Sequence, residues 1–60
     1  MDRELFYMAC AMNDLPIVKK LMNKDNINWK NTQDYGSTPL IRACYNGNYD
    51  VVYVHFWFLY

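Results

Sequence analysis

Asp34-Tyr35-Gly36-Ser37-Thr38-Pro39-Leu40-Ile41-Arg42-Ala43 is a turn joined to the start of a helix. Gly36 accepts positive φ without steric cost, so the backbone can reverse there. Thr38 is a strong N-cap, because its hydroxyl can accept a bond from a first-turn N–H that has no partner inside the helix. Pro39 follows at the first helical position, where a missing N–H costs nothing and φ is already set. Leu40 opens an apolar face that the small residues Ala43 and Cys44 keep narrow. After Gly47 a second apolar run begins at Val51-Val52.

The first half of the chain repeats this pattern. The shift that carries Ala9-Cys10 onto Ala43-Cys44 also carries Phe6 onto Leu40, Leu15 onto Tyr49, Ile17-Val18 onto Val51-Val52 and Met22 onto Phe56. A period of about 33 residues marks stacked helix–turn–helix units. In the first half, Asp2 and Glu4 sit where a helix N-terminus favours negative charge. Phe6, Ala9 and Cys10 recur at helical spacing, and Leu15, Val18, Leu21 and Met22 form a second amphipathic stripe. Asp14 is the expected cap of that second helix, with Pro16 in its first turn. The spacing predicts helices over Asp2–Met12, 15–24, 39–46 and Tyr49–Leu59. It predicts a core of Phe6, Ala9, Cys10, Leu15, Val18, Leu21, Met22, Leu40, Ala43, Cys44 and Val52. The stretch 25–37 is rich in Asn, Asp and Lys without a helical stripe, and so reads as loop.

Gly36, Thr38, Pro39, Leu40, Ala43, Cys44, Gly47, Val51 and Val52 together resemble the ankyrin repeat, whose pattern is roughly G-x-T-P-L-H-x-A-A-x-x-G-x-x-x-V-V. The turn chemistry at 36–40 separates this resemblance from other helix–turn–helix repeats of similar length. It implies an all-α fold of two stacked helix–turn–helix repeats joined by a loop or irregular β-hairpin. Repeat one spans about 1–33 and resembles an N-terminal cap. Repeat two spans about 34–60 and lacks a polar C-terminal cap. Within the joining stretch, Ile27-Asn28 resembles the family's short extended segment, and 33–36 its hairpin tip. There are departures. Asp25-Asn26 stands where the family has Gly-Ala, Gln33 where it has Asp, Ile41 where it often has His, and His55 where it buries Leu. Asn13 replaces the Gly found at 47, a mild change because Asn tolerates the left-handed region.

The residues offer little chemistry of other kinds. Cys10, Cys44 and His55 lack metal-ligand spacing and a fourth partner. Equivalent positions in adjacent units lie about one helix diameter apart, roughly 10 Å, too far for a disulfide, so both cysteines read as small core residues. His55 has no orienting carboxylate or nucleophile at a defined offset, and reads as packing. No catalytic, cofactor-binding or metal-binding residue is assigned, and no cofactor is expected. Lys19, Lys20 and Lys24 read as a solvated face rather than a phosphate patch. Formal net charge is zero, which argues against nucleic acid held by electrostatics. No apolar run approaches the length needed to span a bilayer. Two sparse cysteines and no signal peptide make a reducing cytoplasm the default location.

The resemblance implies a non-enzymatic protein-binding module, or a fragment of one. Its binding face would use Asp34, Tyr35 and Ser37 at the hairpin tip and Tyr45 and Asn46 on the helix. The alternatives are a truncated product without independent function, or an element that joins membranes or copies of itself through its aromatic C-terminus. The run from Val51 to Tyr60 carries almost no polar face and is β-branched, aromatic and free of Pro, the composition of a self-associating segment.

Overall fold

The first helix, α1, spans Asp2–Met12 in a computed structural model that describes residues 2–59. Its Phe6, Tyr7, Ala9 and Cys10 are buried, the i, i+3, i+4 set that turns one side of a helix inward. It ends where Asn13 takes φ 60°, which lets the Asp14 N–H reach back to the Ala9 carbonyl at 2.9 Å. That six-to-one bond terminates many helices. It recurs at the equivalent turn of the second half, where Gly47 takes φ 72° and the Asn48 N–H reaches the Ala43 carbonyl at 2.9 Å. The shared period is therefore a shared backbone shape as well as a shared pattern of residues.

Helix α2 covers Leu15–Leu21 and buries Val18. Asp14 occupies its N-cap, but its side chain makes no capping bond; Pro16 in the first turn and the Asp14 carbonyl, accepting from the Val18 N–H at 3.0 Å, define the start instead. The helix stops at Leu21, short of the expected end at 24. Met22 and Asn23 turn extended, and Asn23 caps a new helix, α3, over Lys24–Asn28. Asn23 Oδ1 accepts from the Asn26 N–H at 2.8 Å, while buried Asn26 donates through Nδ2 to the Leu21 carbonyl at 2.6 Å. The stretch 25–37 is thus not simply loop. Ile27, expected in an extended segment, lies in α3 and is buried. A local capping residue started a helix that lacks a repeating stripe because it is barely more than one turn long.

From Asn31 the chain turns through a 3₁₀ helix, Thr32–Asp34, and closes one isolated antiparallel bridge between Asn31 and Ser37. The hairpin is thereby reduced to a single bridge, and no strand is found among the described residues. Tyr35 and Gly36 take φ 58° and 75° in succession. Helix α4, Pro39–Tyr45, begins as expected: Thr38 Oγ1 accepts from the Ile41 N–H at 3.3 Å. Helix α5 covers Tyr49–Leu59 and buries only Val51 and His55. Met1, and Tyr60 at the end of the apolar run, lie outside the described residues.

The fold is all-α. Helix α1 packs most extensively on α4, each with its partner helix, α2 or α5, behind it, and α3 fills the side between α1 and α4. Phe6, Ala9, Cys10, Val18, Ile27, Ala43 and Val51 form the core, with Leu15, Leu21, Met22, Val52 and Val54 half-buried against it. Two expectations need correction. Leu40 is half-buried and outside this cluster, and Cys44 is exposed. Cys10 faces the second helix pair and is covered by it. Cys44, its counterpart, lies on α4, where no further helix pair covers it among the described residues.

Candidate protein-binding face

The turn at 32–37 is held against both helix pairs by one carboxylate. Asp34 ends the 3₁₀ helix, and its Oδ2 and Oδ1 accept from Arg42 Nε and Nη2, both at 2.9 Å. Such a fork of two parallel bonds fixes orientation as well as distance. Oδ2 also accepts from the Tyr7 hydroxyl of α1. One side chain therefore ties the turn to α4 and α1 together. Its carboxyl is held below the usual carboxylate range, first by the Tyr7 bond and then by Arg42. Burial pushes the Tyr7 hydroxyl up, and the bond to Asp34 adds to that.

Aromatic contacts extend the network in two directions. Arg42 lies over the Tyr45 ring, 5.6 Å from its centroid. On the other side, Trp29 meets Tyr7 edge to face at 5.8 Å, and Arg3 lies over Trp29 at 5.2 Å. Trp29 thus covers the edge of the core at Tyr7 instead of standing free in the loop.

Of the five residues expected at this face, Asp34 and Tyr45 are brought together through Arg42. Tyr35 projects beside Asp34 and is 100% exposed. Ser37 is half-buried in the bridge to Asn31. Asn46 is exposed but committed to the fold's interior joint, donating to the Ala11 carbonyl at 2.9 Å. Sequence reasoning gave Arg42 and Tyr7 no role here and left Trp29 open between the loop surface and the core edge. Arg42 sits one position from a core alanine and reads as an ordinary solvated charge. Tyr7 and Trp29 carry no spacing signal, since their meeting depends on how the loop folds back.

Among the described residues, no group of three or more His, Cys, Asp or Glu side chains is placed to share a metal ion. Cys10 is buried, which pushes its thiol up to about 12. His55 is 1% exposed; its Nδ1–H donates to the Val51 carbonyl at 3.0 Å, and its Nε2 has no partner. Burial lowers its pKa below the ordinary value, and the Val51 bond opposes this only in part. A buried ring with one nitrogen bonded inside its own helix and the other buried without a partner is poorly placed to move a proton to a ligand.

A family model for ankyrin repeats in many copies matches residues 6–54. The chain belongs to the ankyrin-repeat family. Ankyrin repeats as a class mediate protein–protein interaction, and the helix pairs, capped turn and Asp34-anchored tip described above are this chain's version of that scaffold. No curated protein and no solved structure gives a significant match. No helix among the described residues is long and apolar enough to cross a membrane.

Proposed function

We propose that this chain is a non-enzymatic protein-binding module, a two-unit piece of an ankyrin array divided near residues 33 and 34, that works in a reducing cytoplasm. The exposed free thiol of Cys44 is consistent with that compartment. The proposed contact set is Asp34, Tyr35, Ser37, Tyr45 and Asn46. The observation that carries this reading is Tyr35, a bulky side chain held at φ 58° and fully exposed. A left-handed backbone costs a residue with a Cβ about 1–2 kcal/mol, and such strain gathers at sites where a side chain must be presented. Asp34 next to it is pinned by Arg42 and Tyr7, so the tyrosine is offered on a rigid base, which lowers the entropy lost on binding. Tyrosine and arginine at a solvent-facing centre are also the residue types that dominate interface energetics.

The test compares two readouts in one variant. Photo-crosslinking from position 35 in the native cell identifies a partner, whose binding is then measured with purified components. Tyr35→Gly should raise the stability of the chain by about 1 kcal/mol yet weaken that binding by about 2 kcal/mol, roughly thirtyfold in Kd. Tyr45→Ala should weaken binding too, whereas Lys19→Ala, behind the face on α2, should not. Unchanged affinity in both tyrosine variants would refute the assignment.

A further inference from the structure

The joint between the two helix pairs has two halves, and each half has counterparts one repeat away, most of them exposed. The second pair contributes Arg42, Ala43, Asn46, Val51 and His55. Arg42 reaches Asp34 beside Tyr7, Asn46 donates to the Ala11 carbonyl, and the His55 ring lies 5.8 Å from Phe6. Ala43 and Val51 are fully buried in the shared core. Moved back by one repeat, in the register that carries Ala43-Cys44 onto Ala9-Cys10, these positions become Met8, Ala9, Met12, Ile17 and Leu21. All five line one groove along α1 and α2, together with Leu5 and the charged Asp2, Asp14 and Lys20. The first pair's half of the joint includes Phe6, Tyr7 and Cys10 of α1 and Met22 after α2. Moved forward, these become Leu40, Ile41 and Cys44 on α4 and Phe56 on α5, of which Ile41, Cys44 and Phe56 are exposed. Met8 is 57% exposed, Ile41 43% and Phe56 52%.

The two open sides also match each other where they differ from the internal joint. Inside, Tyr7 and Arg42 meet as polar partners through Asp34. Their images, Ile41 and Met8, are both apolar. Inside, Phe6 meets His55; their images, Leu40 and Leu21, are both aliphatic. A capping unit carries a polar outer face; here Leu5, Met8, Met12 and Ile17 leave apolar area exposed beside Asp2, Asp14 and Lys20. We propose that the groove on α1 and α2 receives the outer side of α4 and α5 from a second copy of this chain, head to tail. The surface is distinct from the Tyr35 tip and does not depend on its partner.

Such a contact uses different surfaces on the two copies, so it propagates instead of closing as a dimer. It is weaker than the internal joint. Asn48 donates to the Cys10 and Ala11 carbonyls, but its image is Asp14, which as a carboxylate cannot donate. Likewise Met12 stands for Asn46. The association is therefore reversible and concentration-dependent.

The test uses the full chain and two exposed-site variants, Met8→Lys on the groove and Phe56→Lys on the opposite side. Sedimentation velocity should show the unsubstituted chain growing past dimer as concentration rises, with helicity by circular dichroism rising alongside. Each variant alone should stay monomeric. An equimolar mixture retains one intact groove and one intact outer side, so it should form a dimer and stop, with the dimer's helicity exceeding that of either variant alone. Cys44 offers a readout without substitution: its alkylation should slow as concentration rises, while Cys10, buried and with its thiol pushed up to about 12, stays unreactive. A chain that is monomeric with concentration-independent helicity and Cys44 reactivity overturns the proposal and leaves these faces to a different protein. Association that survives in both single variants, or a mixture that gains neither mass nor helicity, also overturns it.

Discussion

Tyr35, Cys44 and His55 each depart from what a stable isolated fold would choose, and each departure has a separate physical reading. Tyr35 accepts a strained backbone to stand fully exposed. Cys44 is exposed although its counterpart one repeat earlier, Cys10, is buried. His55 is the costliest of the three, because Nε2 is buried without a partner, a defect worth about 1–3 kcal/mol. Its folded pKa is lowered from 6.5, so the unfolded chain binds the proton more readily than the folded one. Stability is then fully present above 6.5 and falls as pH drops below it. Asp34, whose folded pKa is also lowered, loses its share at lower pH, once unfolded carboxylates begin to protonate. His55→Leu should remove the step that begins at 6.5 and leave the lower one. Leu21, the counterpart of His55 in the first pair, shows that this side chain suits the site. Denaturant unfolding of the substituted chain at neutral pH should show a gain of about 1 kcal/mol. An unchanged pH profile would mean that the ring is hydrated.

Helix boundaries were legible where the signal was local and strong. Thr38-Pro39 and the paired turns at Asn13 and Gly47 set three of them, and α1 and α5 have the bounds their patterns predict. The break at Met22-Asn23 was not legible, because Lys24 continues the polar side of α2 and nothing in periodicity requires a stop. What breaks it is Asn23 capping α3 while Asn26 takes up the Leu21 carbonyl at the end of α2. Ile27 reached the core by that route, and a reading by stripe alone misses it. The exposure of Cys44 was illegible for another reason: a repeat pattern marks positions that face a neighbour without saying whether the neighbour is there. Asn23→Ala should remove the cap at a cost of about 1 kcal/mol. Amide exchange should then quicken at Asn26 and Ile27, and Leu15–Leu21 should be little affected. Uniform acceleration across both helices would mean that α2 and α3 open as one unit.

At the scale of the whole molecule, two helix pairs share a small core, and the joint between them carries much of what holds either together. Helix α5 leaves Tyr53, Phe56, Trp57 and Leu59 more than half exposed, so the chain retains apolar area that a longer stack, or another copy, would cover. The candidate binding face was half legible. Tyr35 and Tyr45 could be placed from the repeat register, but the clamp of Arg42 and Tyr7 on Asp34 needs the two pairs to be stacked first. The clamped tip and the exposed faces of both pairs therefore depend on that stacking. The direct measurement is a nuclear Overhauser spectrum of the chain inserted between capping repeats that hold it monomeric. The Phe6 ring should give cross-peaks to the His55 ring and to the Val51 methyl groups. Sharp signals from all three residues without those cross-peaks, or backbone contacts that pair residues 51–56 as a strand, would contradict the stacked arrangement.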